Sequence, residues 1–382
     1  MKINNICRII IAAVLLISLT ACGVGEDDIA MRELKLSEDT FKTLGRVYYD
    51  DGKIYCALSG TGVEFTFKGT ECHVTVSGDD MASAGNADSN ARIGIYLNGE
   101  RVVDDMIDQP EKTYQVFKTD SEITADIKIV KLSESANSTY AISNITLNGT
   151  APKPAEYKDK LIEFVGDSIT CGYGVDDLDS SHHFSTRTED NTKTYAYKTA
   201  EALEADYSMV SVSGYGVISG YSDGNSKADS QVVPAYYEKY GYSWSSNGEF
   251  TPSNLDWTFD RQPDVVVINL GTNDDSYCKN IPERCEEFRE EYINFIKKIR
   301  EKNPDATIIG ALGIMGANLY PYVESAVSDY IAQTGDENVY AMKFDSQNQA
   351  VDGIAADWHP SEATHEKAAA KLTDFIKQVK GW

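Results

Sequence analysis

The tetrapeptide Ala151-Pro152-Lys153-Pro154 divides the chain into two stretches of different hydrophobic texture. Before it, from about Leu34 to Gly149, short runs alternate apolar with polar residues or are rich in β-branched ones, and Gly, Asn or Asp clusters break them at strand-and-turn intervals. Val63-Glu64-Phe65-Thr66-Phe67, His73-Val74-Thr75-Val76 and Ile127-Lys128-Ile129-Val130 are examples. A period of two places the apolar side chains on one face of a strand. Asn98-Gly99, between Arg92–Leu97 and Arg101–Val103, supplies the two positive-φ positions of a type I′ hairpin turn. Residues 34–150 therefore read as an all-β sandwich. A proline-bearing joint of this kind separates domains. After it, apolar runs alternate with helical stretches, the pattern of parallel strands and crossover helices. The expected strands are 161–165, 207–212, 265–270, 306–312 and 338–344, and the clearest helices are 281–302 and 361–379, the latter capped by Ser361. Residues 155–382 are thus expected to form a three-layer α/β/α sandwich around a parallel sheet.

The first residues belong to transport rather than fold. Lys2 and Arg8 precede the apolar run Ile9 to Leu19, too short to span a bilayer and typical of an export signal. The segment 1–21 ends in Leu19-Thr20-Ala21 before Cys22, which resembles a bacterial lipobox. Cleavage there would leave Cys22 as the lipidated residue, with 22–33 as spacer and a lipid anchor as the sole membrane contact, placing the protein outside the cell at the bacterial surface. The remaining five cysteines cannot all pair. Cys278 and Cys285 are close enough in sequence for a small loop disulfide, with free thiols the favoured reading. No metal site is expected, since neither C-x-x-C nor H-E-x-x-H occurs. With 35 Lys+Arg against 60 Asp+Glu, a formal charge of −25, nucleic acid is a poor partner. A neutral or cationic ligand fits such a surface better.

Ligands of open parallel sheets bind beyond the carboxyl ends of the strands, and three strand ends here carry unusual polar residues. Gly166-Asp167-Ser168 places a hydroxyl at the end of the first strand. Gly214, after the second, lets a backbone N–H approach a ligand closely. Gly271-Thr272-Asn273-Asp274, after the third, offers an uncharged side-chain amide, suited to a transient oxyanion. Ahead of the last helix, Asp357-Trp358-His359-Pro360 supplies a histidine fixed by its proline for general-base work. His73, His182, His183 and His365 are the competing histidines.

These four segments, in the order Ser, Gly, Asn, His, resemble the blocks of the SGNH (GDSL-type) hydrolase superfamily. With the β region in front, bearing Leu44-Gly45-Arg46, Tyr48-Tyr49-Asp50-Asp51-Gly52 and Val130-Lys131-Leu132-Ser133-Glu134, residues 35–382 resemble carbohydrate esterase family 2. The resemblance implies Ser168 as nucleophile, His359 as base, and the Ser168 N–H, the Gly214 N–H and Asn273 as an oxyanion hole, with no cofactor. The superfamily usually has Asp three residues before the histidine. Here that position is Ala356, and the nearest acid is Asp357, two before. Asp357 is the possible third member, and the family also includes Ser-His dyads whose imidazole is steadied by a backbone carbonyl.

Trp358 and Trp257, with Trp244 beside them, are candidate platforms for a pyranose face. The resemblance implies that the β-sandwich in front is jelly-roll-like, and that the whole is an O-acetyl esterase that deacetylates plant cell-wall polysaccharides or their oligosaccharides. The alternatives are a short-acyl esterase on another substrate and a non-catalytic glycan-binding lipoprotein.

Overall fold

The computed structural model describes residues 30–382. The expected leader 1–21, the lipidation residue Cys22 and most of the 22–33 spacer lie outside the described residues. Among those described, no helix is long and apolar enough to cross a membrane.

The β region joins ten strands in one antiparallel hydrogen-bonded network rather than in two separate sheets. The physical reason lies in two unusually long strands, Gly62–Gly78 and Glu111–Lys131, which pair along their whole length. Register shifts at Gly69/Glu71 and Cys72/His73 interrupt that pairing. Bulges of this kind bend and twist a strand, so one strand can serve both halves of a curled sheet. The concave apolar faces meet in a core that includes Phe41, Phe65, Val74, Ile95, Ile129 and Ile142. The expected hairpin forms between Ala91–Leu97 and Glu100–Ile107, with φ of 53° at Asn98 and 86° at Gly99. The region is slightly longer than its sequence pattern. Arg32–Glu33 pairs with Thr146 and Leu147, and Lys153–Pro154 pairs with Phe65 and Thr66, so the proline joint itself lies against the β region as an edge strand, where a missing N–H is tolerated.

The second region holds five parallel strands in the spatial order Asp206–Ser211, Leu161–Gly166, Val265–Asn269, Thr307–Ile314, Val339–Ser346. All five expected strands are present, with ends displaced by a residue or two. Nearly every residue of the first four is buried, because helices cover both faces. One face packs against Pro282–Lys302 through Phe288, Tyr292, Phe295, Ile296 and Ile299. The other packs against Tyr195–Ala202 and Glu362–Lys380. Ser361 caps the last helix by accepting the Thr364 N–H at 3.3 Å. From Leu161–Gly166 the chain passes first to one neighbouring strand and then to the other. The loops therefore part above the first strand, and a crevice opens at this switch point.

Charge pairs join the two regions: Lys42–Asp206 at 2.8 Å, Arg46–Glu163 at 3.0 Å, Arg92–Asp176 at 2.7 Å and Arg101–Asp190 at 2.8 Å. Arg46 is fully buried, its guanidinium 5.2–5.4 Å from the ring centres of Tyr237, Trp257 and Phe259. Cys56, Cys72, Cys171, Cys278 and Cys285 are all free and buried, so Cys278 and Cys285 form no bridge.

Candidate active site

Ser168 opens a short helical turn, Ser168–Cys171, directly after the first parallel strand. The Asp167 side chain caps that turn by accepting the Ile169 N–H at 3.0 Å. The cap holds the hydroxyl at the crevice. His359, 191 residues later, brings Nε2 to 2.8 Å from Ser168 Oγ. Its Nδ1 lies 3.1 Å from the carbonyl oxygen of Ala356. With Nδ1 carrying the proton that this carbonyl accepts, Nε2 is left unprotonated toward the serine. Burial, the largest influence, pushes the imidazole down to about 4, against smaller opposing contributions from the Ala356 carbonyl and Asp357. Near neutrality His359 is therefore an uncharged base.

Asp357 does not occupy the third position of a triad. Asp357 and Trp358 adopt left-handed backbone, φ 48° and 64°, conformations that non-glycine residues take only under local constraint. This double turn aims the Ala356 carbonyl at the imidazole and the Asp357 carboxylate away from it. The carboxylate accepts from the Tyr173 hydroxyl at 2.5 Å and meets His183 Nδ1 at 2.8 Å. Burial acts to raise the Asp357 pKa, yet the hydrogen bonds from Tyr173 and His183 outweigh it and hold the group below its usual range. Tyr173, which no sequence pattern marked, stacks its ring on His359.

The expected oxyanion groups converge from three adjacent strands. Neither the Ser168 nor the Gly214 N–H donates to an acceptor among the described residues. Gly214 has φ 80°, and a Cβ there would meet nothing within 4 Å, so the space beside its Cα is open. Asn273 is engaged: its Nδ2 donates to the Tyr215 carbonyl at 2.9 Å and to Asp167 at 3.2 Å. Burial raises the Asp167 carboxyl to about 7. Asp274, quoted with its block in the sequence but given no role there, accepts the N–H groups of Val217, Ile218 and Ser219 and so shapes the loop beyond Gly214. The carboxylate leaves no room for a side chain at Gly216, where a Cβ would lie 2.5 Å from Asp274 Oδ2.

The tryptophans separate. Trp358, 57% exposed, adjoins His359. Trp244, 61% exposed, packs edge-on against Tyr242, which in turn packs on Tyr215 beside Gly214. Trp257 is elsewhere. It lines a crevice at the start of the first parallel strand with Leu161, Glu163 and Arg261, the opposite end of the sheet from Ser168, and its ring packs on Arg46. The loop that carries it docks against the β region, which a sequence position cannot reveal. The other histidines also fall away from the reacting pair: His73 lies in the β region beside Glu71, His365 is buried against the Tyr195 N–H, and His182 and His183 are exposed on a neighbouring loop. Among the described residues no group of three or more His, Cys, Asp or Glu side chains is arranged to hold a metal ion.

Comparison with known proteins bears on the family and the fold. The GDSL-like Lipase/Acylhydrolase family model matches residues 164–367, and the Carbohydrate esterase 2 N-terminal model matches residues 43–155. The cellulase/esterase CelE of Acetivibrio thermocellus is 31% identical over 338 residues, covering 86% of this chain. The match spans only 38% of that relative's length. An acetylxylan esterase / glucomannan deacetylase of Cellvibrio japonicus is 25% identical over 91% of this chain and 90% of its own. Among solved structures, a family two carbohydrate esterase from Clostridium thermocellum in complex with cellohexaose superposes with a TM-score of 0.76 at 28% identity, covering 90% of this chain and 99% of that one. With the two models matching the two regions in turn, the chain belongs to the GDSL-like lipase/acylhydrolase family and has the two-region organisation of carbohydrate esterase family 2.

Proposed function

We propose that the protein is a serine O-acetyl esterase that removes acetyl groups from plant cell-wall polysaccharides or their oligosaccharides. The observation that carries this reading is the 2.8 Å contact between His359 Nε2 and Ser168 Oγ beside two unused backbone donors. In this mechanism Ser168 Oγ attacks the acetyl carbonyl while its proton passes to Nε2. The Ser168 and Gly214 N–H groups hold the tetrahedral oxyanion, and Asn273 joins them by giving up its longer bond to Asp167. The intermediate then collapses, the bond from the acetyl carbon to the sugar oxygen breaks, and His359 passes its proton to that oxygen, which leaves as a hydroxyl. Water, deprotonated by the same imidazole, releases acetate from the acetyl-serine.

The substrate class rests on what the chain resembles. The Cellvibrio relative is named for acetylxylan and glucomannan, and the Clostridium structure holds cellohexaose. Trp358, exposed next to His359, and Trp244, exposed and packed through Tyr242 on Tyr215, offer faces on which sugar rings stack, and the net charge of −25 suits a neutral polymer. Export and anchoring through Cys22 form part of the proposal, supported by the sequence of residues 1–22. The test is acetate release from acetylated xylan, acetylated glucomannan and a chromogenic acetate ester, beside Ser168→Ala. Loss of release in the variant is expected. Equal inactivity of both proteins on all three substrates would leave glycan binding without catalysis as the function.

A further inference from the structure

The oxyanion-binding loop is held from the other region of the protein. Glu134, in the β region, is buried to 1% exposure, and its Oε2 accepts the Ser213 N–H at 3.0 Å. Ser213 immediately precedes Gly214, whose N–H has no acceptor among the described residues. Tyr221 N–H donates to the Gly214 carbonyl at 2.7 Å, so this dipeptide is fixed at both ends. Glu134 is fixed in turn. Its own N–H donates to Glu189 Oε2 at 2.9 Å, and its carbonyl accepts from the Lys131 ammonium at 2.5 Å, which also donates to the Ser133 carbonyl at 2.8 Å. Glu189 and Lys131 are themselves fully buried. Three ionisable side chains have thus been withdrawn from water between the two regions, a costly arrangement for a contact that only glues surfaces together. A neutral apolar contact would serve adhesion as well. What an apolar side chain cannot supply is a carboxylate acceptor for the backbone next to Gly214.

We propose that Glu134 is a positioning residue, which reaches across from the β region to set the Ser213–Gly214 peptide where its N–H meets the oxyanion. The β region then completes the active site whether or not it binds glycan. This rests on the esterase reading above. An oxyanion donor works only if it is aimed before the charge develops, so releasing the clamp lowers turnover more than ground-state binding.

The experiment compares Glu134→Ala, Glu134→Gln and Arg46→Met in the full-length protein. Arg46 bridges the same two regions through Glu163, at the far end of the sheet, and controls for a weakened contact. Turnover of a chromogenic acetate ester is measured together with hydrogen exchange of the peptide containing Ser213 and Gly214. Glu134→Ala is expected to speed exchange in that peptide and to lower kcat by about 10- to 100-fold, with KM within about twofold. Glu134→Gln keeps an oxygen acceptor and should recover most of kcat, while Arg46→Met should leave kcat and the exchange of this peptide unchanged. Unaltered exchange in Glu134→Ala, unaltered kcat despite faster exchange, or an equal loss of kcat in Arg46→Met would each overturn the proposal. A wild-type protein inactive on every acetyl ester would overturn the esterase reading instead, and the exchange measurement would still decide whether the clamp exists.

Discussion

The ring of Tyr173 lies flat on the imidazole of His359, with centroids 3.8 Å apart and 14° between the planes. The stack confines the imidazole to the orientation in which Nδ1 meets the Ala356 carbonyl and Nε2 meets Ser168. It also keeps water from one face of the base, adding to the burial that lowers its affinity for a proton. Tyr173→Ala should therefore reduce kcat by about tenfold or more through lost orientation. The same change should move the acid limb of the pH profile upward, toward the ordinary histidine value. Tyr173→Phe keeps the ring and should keep that limb in place. Stopped-assay pH profiles of the three proteins on one acetyl ester check both statements.

Two ionisations bracket the expected pH range. Protonation removes His359 as a base, and with the group held down to about 4, kcat/KM should fall only as pH drops through about 4, not through the 6.5 of an exposed histidine. Asp167 acts in the opposite sense. Its carboxyl, raised to about 7, is neutral below that value and charged above it, 3.2 Å from the Asn273 amide. A negative charge there repels the developing oxyanion and tightens its hold on the amide that should serve it. Activity should consequently decline as pH rises through about 7, and Asp167→Asn, which cannot ionise, should remove that decline while leaving the acid limb unchanged.

Asp357 should matter less than a triad acid. Losing the acid of a true triad costs about 10⁴ in kcat, because the imidazole takes the wrong tautomer. Here the Ala356 carbonyl holds Nδ1, so Asp357→Asn should cost about tenfold or less, through the loosened Tyr173. A loss near 10⁴ would mean that the carboxylate swings onto His359 during the reaction. The measurement is kcat on a soluble acetyl ester at a pH between the histidine limb near 4 and the Asp167 limb near 7.

The strands and the reacting pair were legible in the sequence for a physical reason. A parallel strand buried on both faces must be apolar almost throughout, so runs such as Val265–Asn269 stand out, and catalytic side chains sit at the ends of such runs. What escaped reading depends on groups that have no sequence signature. The Ala356 carbonyl is a backbone atom whose direction is set by the positive φ of Asp357 and Trp358. Tyr173 is one tyrosine among 23, and only the folded chain brings it onto His359. Glu134 stands in a quoted motif, but its contact with Ser213, 79 residues away in the other region, has no signature there. Trp257 failed in the reverse direction: its residue type suggested a sugar platform, but the loop carrying it docks at the wrong end of the sheet.

That difference in place separates the tryptophans experimentally. Trp257 packs on the buried Arg46 between the two regions, where its ring contributes area and a cation–π contact. Trp257→Ala should lower stability by about 1–3 kcal/mol and leave the kinetics on oligosaccharide and polymer unchanged. Trp358 is more than half exposed beside His359, so removing its ring exposes no core. Trp358→Ala should leave the melting temperature nearly constant. If its face stacks on a sugar, KM for acetylated glucomannan or xylan should rise by about tenfold, the worth of one aromatic contact, while KM for a small chromogenic acetate stays the same. Thermal unfolding and paired kinetics on the two kinds of substrate read this contrast. A Trp257 variant with raised polymer KM and unchanged stability would instead place the glycan at the far crevice.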